Sequence, residues 1–403
     1  MKKNILAVAI AGAMAAPLAA NASAPTLYGQ MNIAVDSVSE NGSSVQNRNS
    51  RLGVKGSEDL GNGLKAVYQF ETTLNVNGGG NGFGGQRNTF VGVSGGFGTV
   101  IAGRHDTPLR MIQPNDRFND SFYLGNNTGR FGGGVLNAVG VDLGLVDSQG
   151  NDKDLSIGGA NLSGEDRLDN MVAYMSPTVN GFQVMFGGVT TATTGDDKRN
   201  LGNAYSAAIQ YGSKRSGLYA AVGLTQRTKD LATGFGTTTN LNLGAPGFNN
   251  ATVRLSLNEV QNTRAVVQYS DSGLVVSAMY NGVSSKDMTL TVSQGNNSGT
   301  ERFAKLGDTH AYTFAAAYTM GDFTPRAKIA YVDYGNVKFS DSFGGERIKS
   351  DSATNYALGL DYALGKKTRT FVEYGVLDKN NGSGTRVGDK STDVFTVGIA
   401  HSF

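Results

Sequence analysis

Fixed charges recur in this sequence at a spacing of two. In "SRLGVKGS" (50–57), Arg51, Gly53, Lys55 and Ser57 alternate with Leu52 and Val54. In "LKAVYQFE" (64–71), Lys65, Gln69 and Glu71 alternate with Leu64, Ala66, Tyr68 and Phe70. Arg264, Arg326, Lys328 and Arg369 fall on the polar sides of similar alternations. A period of two belongs to a β-strand, whose successive side chains point to opposite faces. A row of like charges along such a face breaks no bonds. It sets a potential over a wall and raises the local concentration of the opposite ion. Arg and Lys outnumber Asp and Glu on these faces, so the ion drawn in would be an anion.

Bond-making chemistry finds no comparable support. The three histidines, His105, His310 and His401, stand in no Ser/His/Asp arrangement of a known catalytic pattern. With no cysteine there is neither a thiol nucleophile nor a thiolate metal site. Gly80, Gly82 and Gly85 spell a dinucleotide fingerprint, but they lie among Asn and Gly without the strand and helix that the motif requires. "NDKD" (151–154) offers oxygen ligands without the spacing of a calcium loop, and reads as a solvated loop. The sequence predicts no enzyme, no cofactor and no metal centre.

The elements that must hold these charges begin after a leader. Residues 1–24 carry Lys2 and Lys3, an apolar Ala-rich stretch and Ala22-Ser23-Ala24, the layout of a secretory signal peptide cleaved after Ala24. Cleavage leaves 379 residues (403 − 24), with 33 basic (35 − 2) against 33 acidic side chains. A balanced charge gives no reason to expect nucleic acid as a partner. Gly is abundant at 57, Pro scarce at 7, and helical periodicity is missing, so an exported all-β protein is indicated.

Sixteen alternating segments are expected. They start near Leu27, Ser50, Leu64, Asn88, Gly98, Asn170, Gly181, Ala204, Leu218, Arg264, Leu274, Ala311, Phe323, Asn355, Thr370 and Asp393. Their apolar faces carry aromatics at the ends, as in Tyr356, Leu358, Leu360, Tyr362 and Leu364. Tyr at both ends suits an apolar band meeting two water interfaces. Seven short turns ("DLGNG", "SGGFG", "SPTVNG", "GSKRSG", "SDSG", "TMGD", "ALGKKT") alternate with longer polar connections. That parity predicts a transmembrane, antiparallel, up-and-down β-barrel of sixteen strands. A sheet in lipid must close on itself, and sixteen strands enclose more space than side chains fill, so a water-filled channel is expected.

"TLYGQMNIAVD" (26–36), "SRLGVKGSEDLGNGLKAVYQFE" (50–71), "RNTFVGVSGGFGTVIAGRHDTP" (87–108) and the terminal "VGIAHSF" resemble the Gram-negative general porins, in their beta-proteobacterial and neisserial form. The resemblance implies an outer-membrane homotrimer of sixteen-stranded barrels that pass small hydrophilic solutes and ions. It implies lipid and lipopolysaccharide as surroundings. It also implies a third loop folded into the barrel, here the connection from Thr107 to about Asp166. Arg51, Arg104 and Arg167 match positions where related porins place an arginine ladder on the pore wall. Asp116 and Asp120, early in the long connection, are the acids expected opposite that ladder, although the connection departs from enterobacterial relatives and carries Arg110, Arg117 and Arg130. The terminal Phe403 is then the mark read by the outer-membrane assembly machinery. A substrate-specific channel, for instance for phosphate, and a surface barrel serving as adhesin or phage receptor are the competing readings.

Overall fold

The structure is a computed structural model. It describes residues 24–39, 41–78, 82–115, 118–121, 123–125, 140–146, 152–156, 167–191, 200–227, 239–241, 251–294, 297–306, 308–333, 337–339, 347–348, 352–378 and 391–403. Asp116 and the proposed leader, apart from Ala24, lie outside these residues.

Sixteen long strands form one closed antiparallel sheet. They are β1 (Thr26–Val38), β2 (Arg51–Gly61), β3 (Leu64–Leu74), β4 (Thr89–Gly95), β5 (Gly98–Asp106), β6 (Arg167–Met175), β7 (Phe182–Thr191) and β8 (Asn200–Ser213). They continue with β9 (Ser216–Arg227), β10 (Ala251–Asp271), β11 (Leu274–Gln294), β12 (Thr309–Tyr318), β13 (Phe323–Asp333), β14 (Ser352–Ala363), β15 (Thr368–Leu377) and β16 (Thr392–Ser402). Each pairs with its neighbours in sequence, and β1 pairs with β16 from Gln30↔Ser402 to Val38↔Val394, which closes the ring and removes the free edge.

The start of β1, the C-terminus and the seven short turns lie at one rim. Asn180-Gly181 and Ser272-Gly273 make turns there with positive φ at both residues (49° and 86°; 47° and 87°), which twist as the hairpin strands do. The longer connections all leave from the other rim.

The alternation places the apolar faces outside. On β14, Tyr356, Leu358, Leu360 and Tyr362 are exposed while Ala353, Asn355 and Ala357 are buried. On β16, Phe395, Val397 and Ile399 are exposed and Val394, Thr396 and Ala400 buried. An exposed apolar belt around a closed, backbone-paired sheet is the surface that hydrocarbon requires.

Two expectations need correction. β10 begins at Ala251 rather than near Arg264, and it pairs with β11 as far as Thr252↔Ser293. Backbone pairing continues past the stretch that needs an apolar face, so a criterion built on that face stops too early. The connection between β5 and β6 also carries more structure than a plain loop: helix α1 (Pro108–Met111) and an antiparallel pair, Gly140–Val146 with Asp152–Ser156. Asp152, Lys153 and Asp154 of the "NDKD" stretch are therefore strand residues.

Candidate functional site

The segment after β5 runs along the buried faces of the barrel and is tied to two separate parts of the wall. Thr107 caps α1, its side chain accepting from the Arg110 N–H. Leu109 N–H donates to Ser206 Oγ of β8 (3.1 Å), and the Leu109 carbonyl accepts from Arg264 Nη1 of β10 (3.1 Å). Tyr219 OH of β9 donates to the Ile112 carbonyl (3.2 Å), and Asn115 N–H donates to Gln268 Oε1 of β10 (3.1 Å). Leu109 and Ile112 bury themselves against Met185, Ala208, Tyr219, Ala221 and Val266, so this first anchor is both apolar and polar.

The second anchor lies on β13–β16 and β1. Phe118 and Leu124 are buried with Val38, Ala330, Ala357, Leu377 and Val394. Gly375 leaves room for Leu124, since a Cβ there would stand 2.4 Å from it. The Phe118 ring lies under two cations of β13, 5.0 Å from Arg326 and 4.9 Å from Lys328, and Lys328 Nζ also donates to the Leu124 carbonyl.

Asn119 sits at the centre of a charge network. Its Nδ2 donates to Glu373 Oε1 (3.0 Å) and Asp361 Oδ1 (3.2 Å), its Oδ1 accepts from Arg369 (2.7 and 2.9 Å), and its carbonyl accepts from Asn32 Nδ2 (3.0 Å). Glu373 binds Arg48 Nη1 (2.6 Å) and Arg326 Nη1 (2.9 Å), and Arg326 also binds Asp361. Arg48 further holds Asp36 and accepts no water-facing role, being 1% exposed. Removing one partner from such a buried network costs several kcal/mol, because the other charges are left unsatisfied.

A second cluster lies on β2–β6. Glu71 binds Arg87, stands 3.9 Å from Arg51 and accepts from Tyr28 OH (2.9 Å). Asp106 Oδ1 lies 2.9 Å from both Arg110 and Arg167. Among the described residues of the two clusters, seven arginines (Arg48, Arg51, Arg87, Arg110, Arg167, Arg326, Arg369) share five carboxylates (Asp36, Glu71, Asp106, Asp361, Glu373). Each of these acids is held by at least one guanidinium, and within this described set guanidinium groups outnumber carboxylates.

Of the residues singled out from sequence, Arg51, Lys55 and Lys65 share one face of β2 and β3 with Gln69 and Glu71, as the register Lys55↔Gln69 and Gly53↔Glu71 requires. Arg167 joins the Asp106 pair. Arg104 is not part of either cluster: it binds Asp169 (2.7 Å), whose side chain is 66% exposed, and the Gln86 carbonyl (2.8 Å). Asp120 is half-buried with a left-handed φ of 55° beside Asn119. Sequence reasoning passed over Arg48, Arg87, Asn119 and Glu373. Glu373 could have been found, because it shares a strand face with Phe371 and Gly375 and alternates with the exposed Val372 and Tyr374; Asn119 carries no charge to mark it.

Comparison with known proteins gives a consistent result. A family model described as Gram-negative porin matches residues 6–383. The chain is 28% identical over 420 residues to the major outer membrane protein P.IB of Neisseria lactamica, and 29% identical over 416 residues to that of Neisseria gonorrhoeae; both alignments span the whole of each chain. Among solved structures, the anion-selective porin from Comamonas acidovorans superposes with a TM-score of 0.61 at 20% identity, over 95% of this chain and all of that one. The trimer form of OmpT from Vibrio cholerae superposes with a TM-score of 0.57 at 16% identity, over 94% and 99%.

Proposed function

This chain belongs to the family of Gram-negative porins, and from that premise we propose a general diffusion pore with a weak preference for anions. It is an outer-membrane channel, a closed sixteen-stranded barrel around an aqueous lumen. In the proposed reading the segment Thr107–Gly125 narrows that lumen. The observation that supports it is its double anchorage, on β8–β10 through Leu109, Ile112 and Asn115 and on β13–β1 through Phe118, Asn119 and Leu124. The inner faces of β2–β4, with Arg51, Lys55 and Lys65, are then left to line the remaining passage.

The anion preference rests on the surplus of guanidinium over carboxylate in the two clusters. Fixed wall charge in a narrow aqueous gap raises the concentration of the opposite ion. Arg51, Lys55, Lys65, Arg167 and Asp120 belong to this lining in our reading, residues 1–24 are the export leader, and Phe403 marks the chain for barrel assembly. Three copies form the working particle, in keeping with the trimer form of the Vibrio cholerae relative.

Planar-bilayer recording of the purified protein tests both parts. A potassium chloride gradient should give a reversal potential of the sign that favours chloride, and single insertions should appear as three equal current steps. Clear cation preference would sink the selectivity, and a single step per particle would sink the trimer.

A further inference from the structure

A cavity of about 380 Å³ opens on the inner wall near the rim that carries the short turns. A single cross-strand row builds it: Thr26↔Lys55, Lys55↔Gln69 and Gln69↔Phe90, spanning β1 to β4. The next row adds Ser57↔Val67. Because these residues are paired directly across the sheet, their side chains share the inner face.

The lining combines one cation with neutral polar groups and an apolar floor. Lys55 is exposed, with its Nζ 5.1 Å from the Tyr28 ring. Thr26, Ser57 and Gln69 supply hydroxyl and amide groups, and Val67 and Phe90 supply the floor. Among the described residues, no carboxylate lines it. Two acids stand two residues along the same face, each with its own partner: Asp59 accepts from the Gly61 N–H (2.7 Å), and Tyr28, which lies across Gly53, where a Cβ would stand 2.4 Å from the ring, donates its hydroxyl to Glu71. The tyrosine thus screens Glu71 from the cavity while its ring faces the ammonium of Lys55.

We propose that this cavity is a subsite for a small organic anion with an aromatic or apolar body, its carboxylate on Lys55 and its body against Val67 and Phe90. The volume suits a molecule of one ring. Ammonium and apolar floor together select against both an inorganic anion, which gains nothing from Phe90, and a neutral ring, which gains nothing from Lys55. Cleavage after Ala24, which also borders the cavity, removes that residue and leaves Thr26, Lys55, Ser57, Val67, Gln69 and Phe90 as its wall. The proposal rests on the channel reading, and the test separates the two.

Benzoate added to one side of a bilayer holding the full trimeric channel in potassium chloride should interrupt the open current, more strongly from the side of the short turns. Benzamide, its neutral counterpart, should not. Lys55→Met should raise the benzoate concentration for half-block by about tenfold or more, as loss of one charged hydrogen bond predicts. Phe90→Ala should raise it by a smaller factor, and Arg215→Met, in the exposed turn between β8 and β9, should leave it in place. Equal block of wild type and Lys55→Met would overturn the subsite and place benzoate at the arginine clusters. Absence of block with normal conductance would overturn the subsite alone, whereas absence of conductance would overturn the channel.

Discussion

Asn119 shows how one neutral residue can hold a charged site together. It satisfies two carboxylates with its Nδ2 and one guanidinium with its Oδ1, from a left-handed backbone with φ of 47°. Asn tolerates that conformation better than residues other than Gly. Asn119→Ala would lose the polar anchor, worth about 1–3 kcal/mol, and add backbone strain of about 1–2 kcal/mol. Asn119→Gly would lose only the anchor. Both variants should give larger and noisier single-channel currents, with Ala the worse. Currents as quiet as those of the wild type in both would show that Phe118 and Leu124 suffice. At this scale the sequence is legible where charge and parity coincide, as at Arg326, Lys328 and Arg369. Arg48 escapes because it lies between β1 and β2, where no alternation marks it, and Arg104 stands apart from both clusters with Asp169 as its partner, which its motif does not announce.

The strand elements were legible for a different reason: lipid outside and water inside force alternation on any strand that crosses. That rule weakens where β10 and β11 pair beyond the apolar band, and there the sequence understates them. It holds at the seam. Phe403 and Gly29 exchange backbone hydrogen bonds (3.1 and 3.2 Å), and the Phe403 ring lies over Gly29, where a Cβ would come within 2.4 Å. The ring thus seats on the first strand as the last one closes, which makes Phe403 a joint in addition to the assembly mark proposed for it. Deleting Phe403 should lower the folded, heat-modifiable fraction in detergent and the outer-membrane level in cells, with export across the inner membrane kept. Gly29→Val keeps the terminal Phe but displaces its ring, so a folding loss confined to the test tube and shared by both variants would assign the defect to the joint. Normal outer-membrane levels of the deletion would count against both roles.

At the scale of the whole molecule, selectivity can arise from the field of the wall or from tight binding at one point, and salt separates the two. The arginines of the two clusters are spread around the barrel, on β2–β6 and on β13–β1, and share their carboxylates. A field of that kind is screened over the Debye length, about 10 Å at 0.1 M and about 3 Å at 1 M ionic strength. Sixteen strands make a lumen wider than the second distance, so at high salt its centre is shielded from the wall. The chloride preference should therefore shrink steadily as reversal potentials are measured at a fixed gradient from 0.1 M to 1 M. Benzoate block through Lys55 depends on direct contact with an apolar floor and should fall less over the same range. A chloride preference that stays constant would instead locate selectivity at a contact site, where the anion is stripped of water and held by guanidinium groups at hydrogen-bond distance.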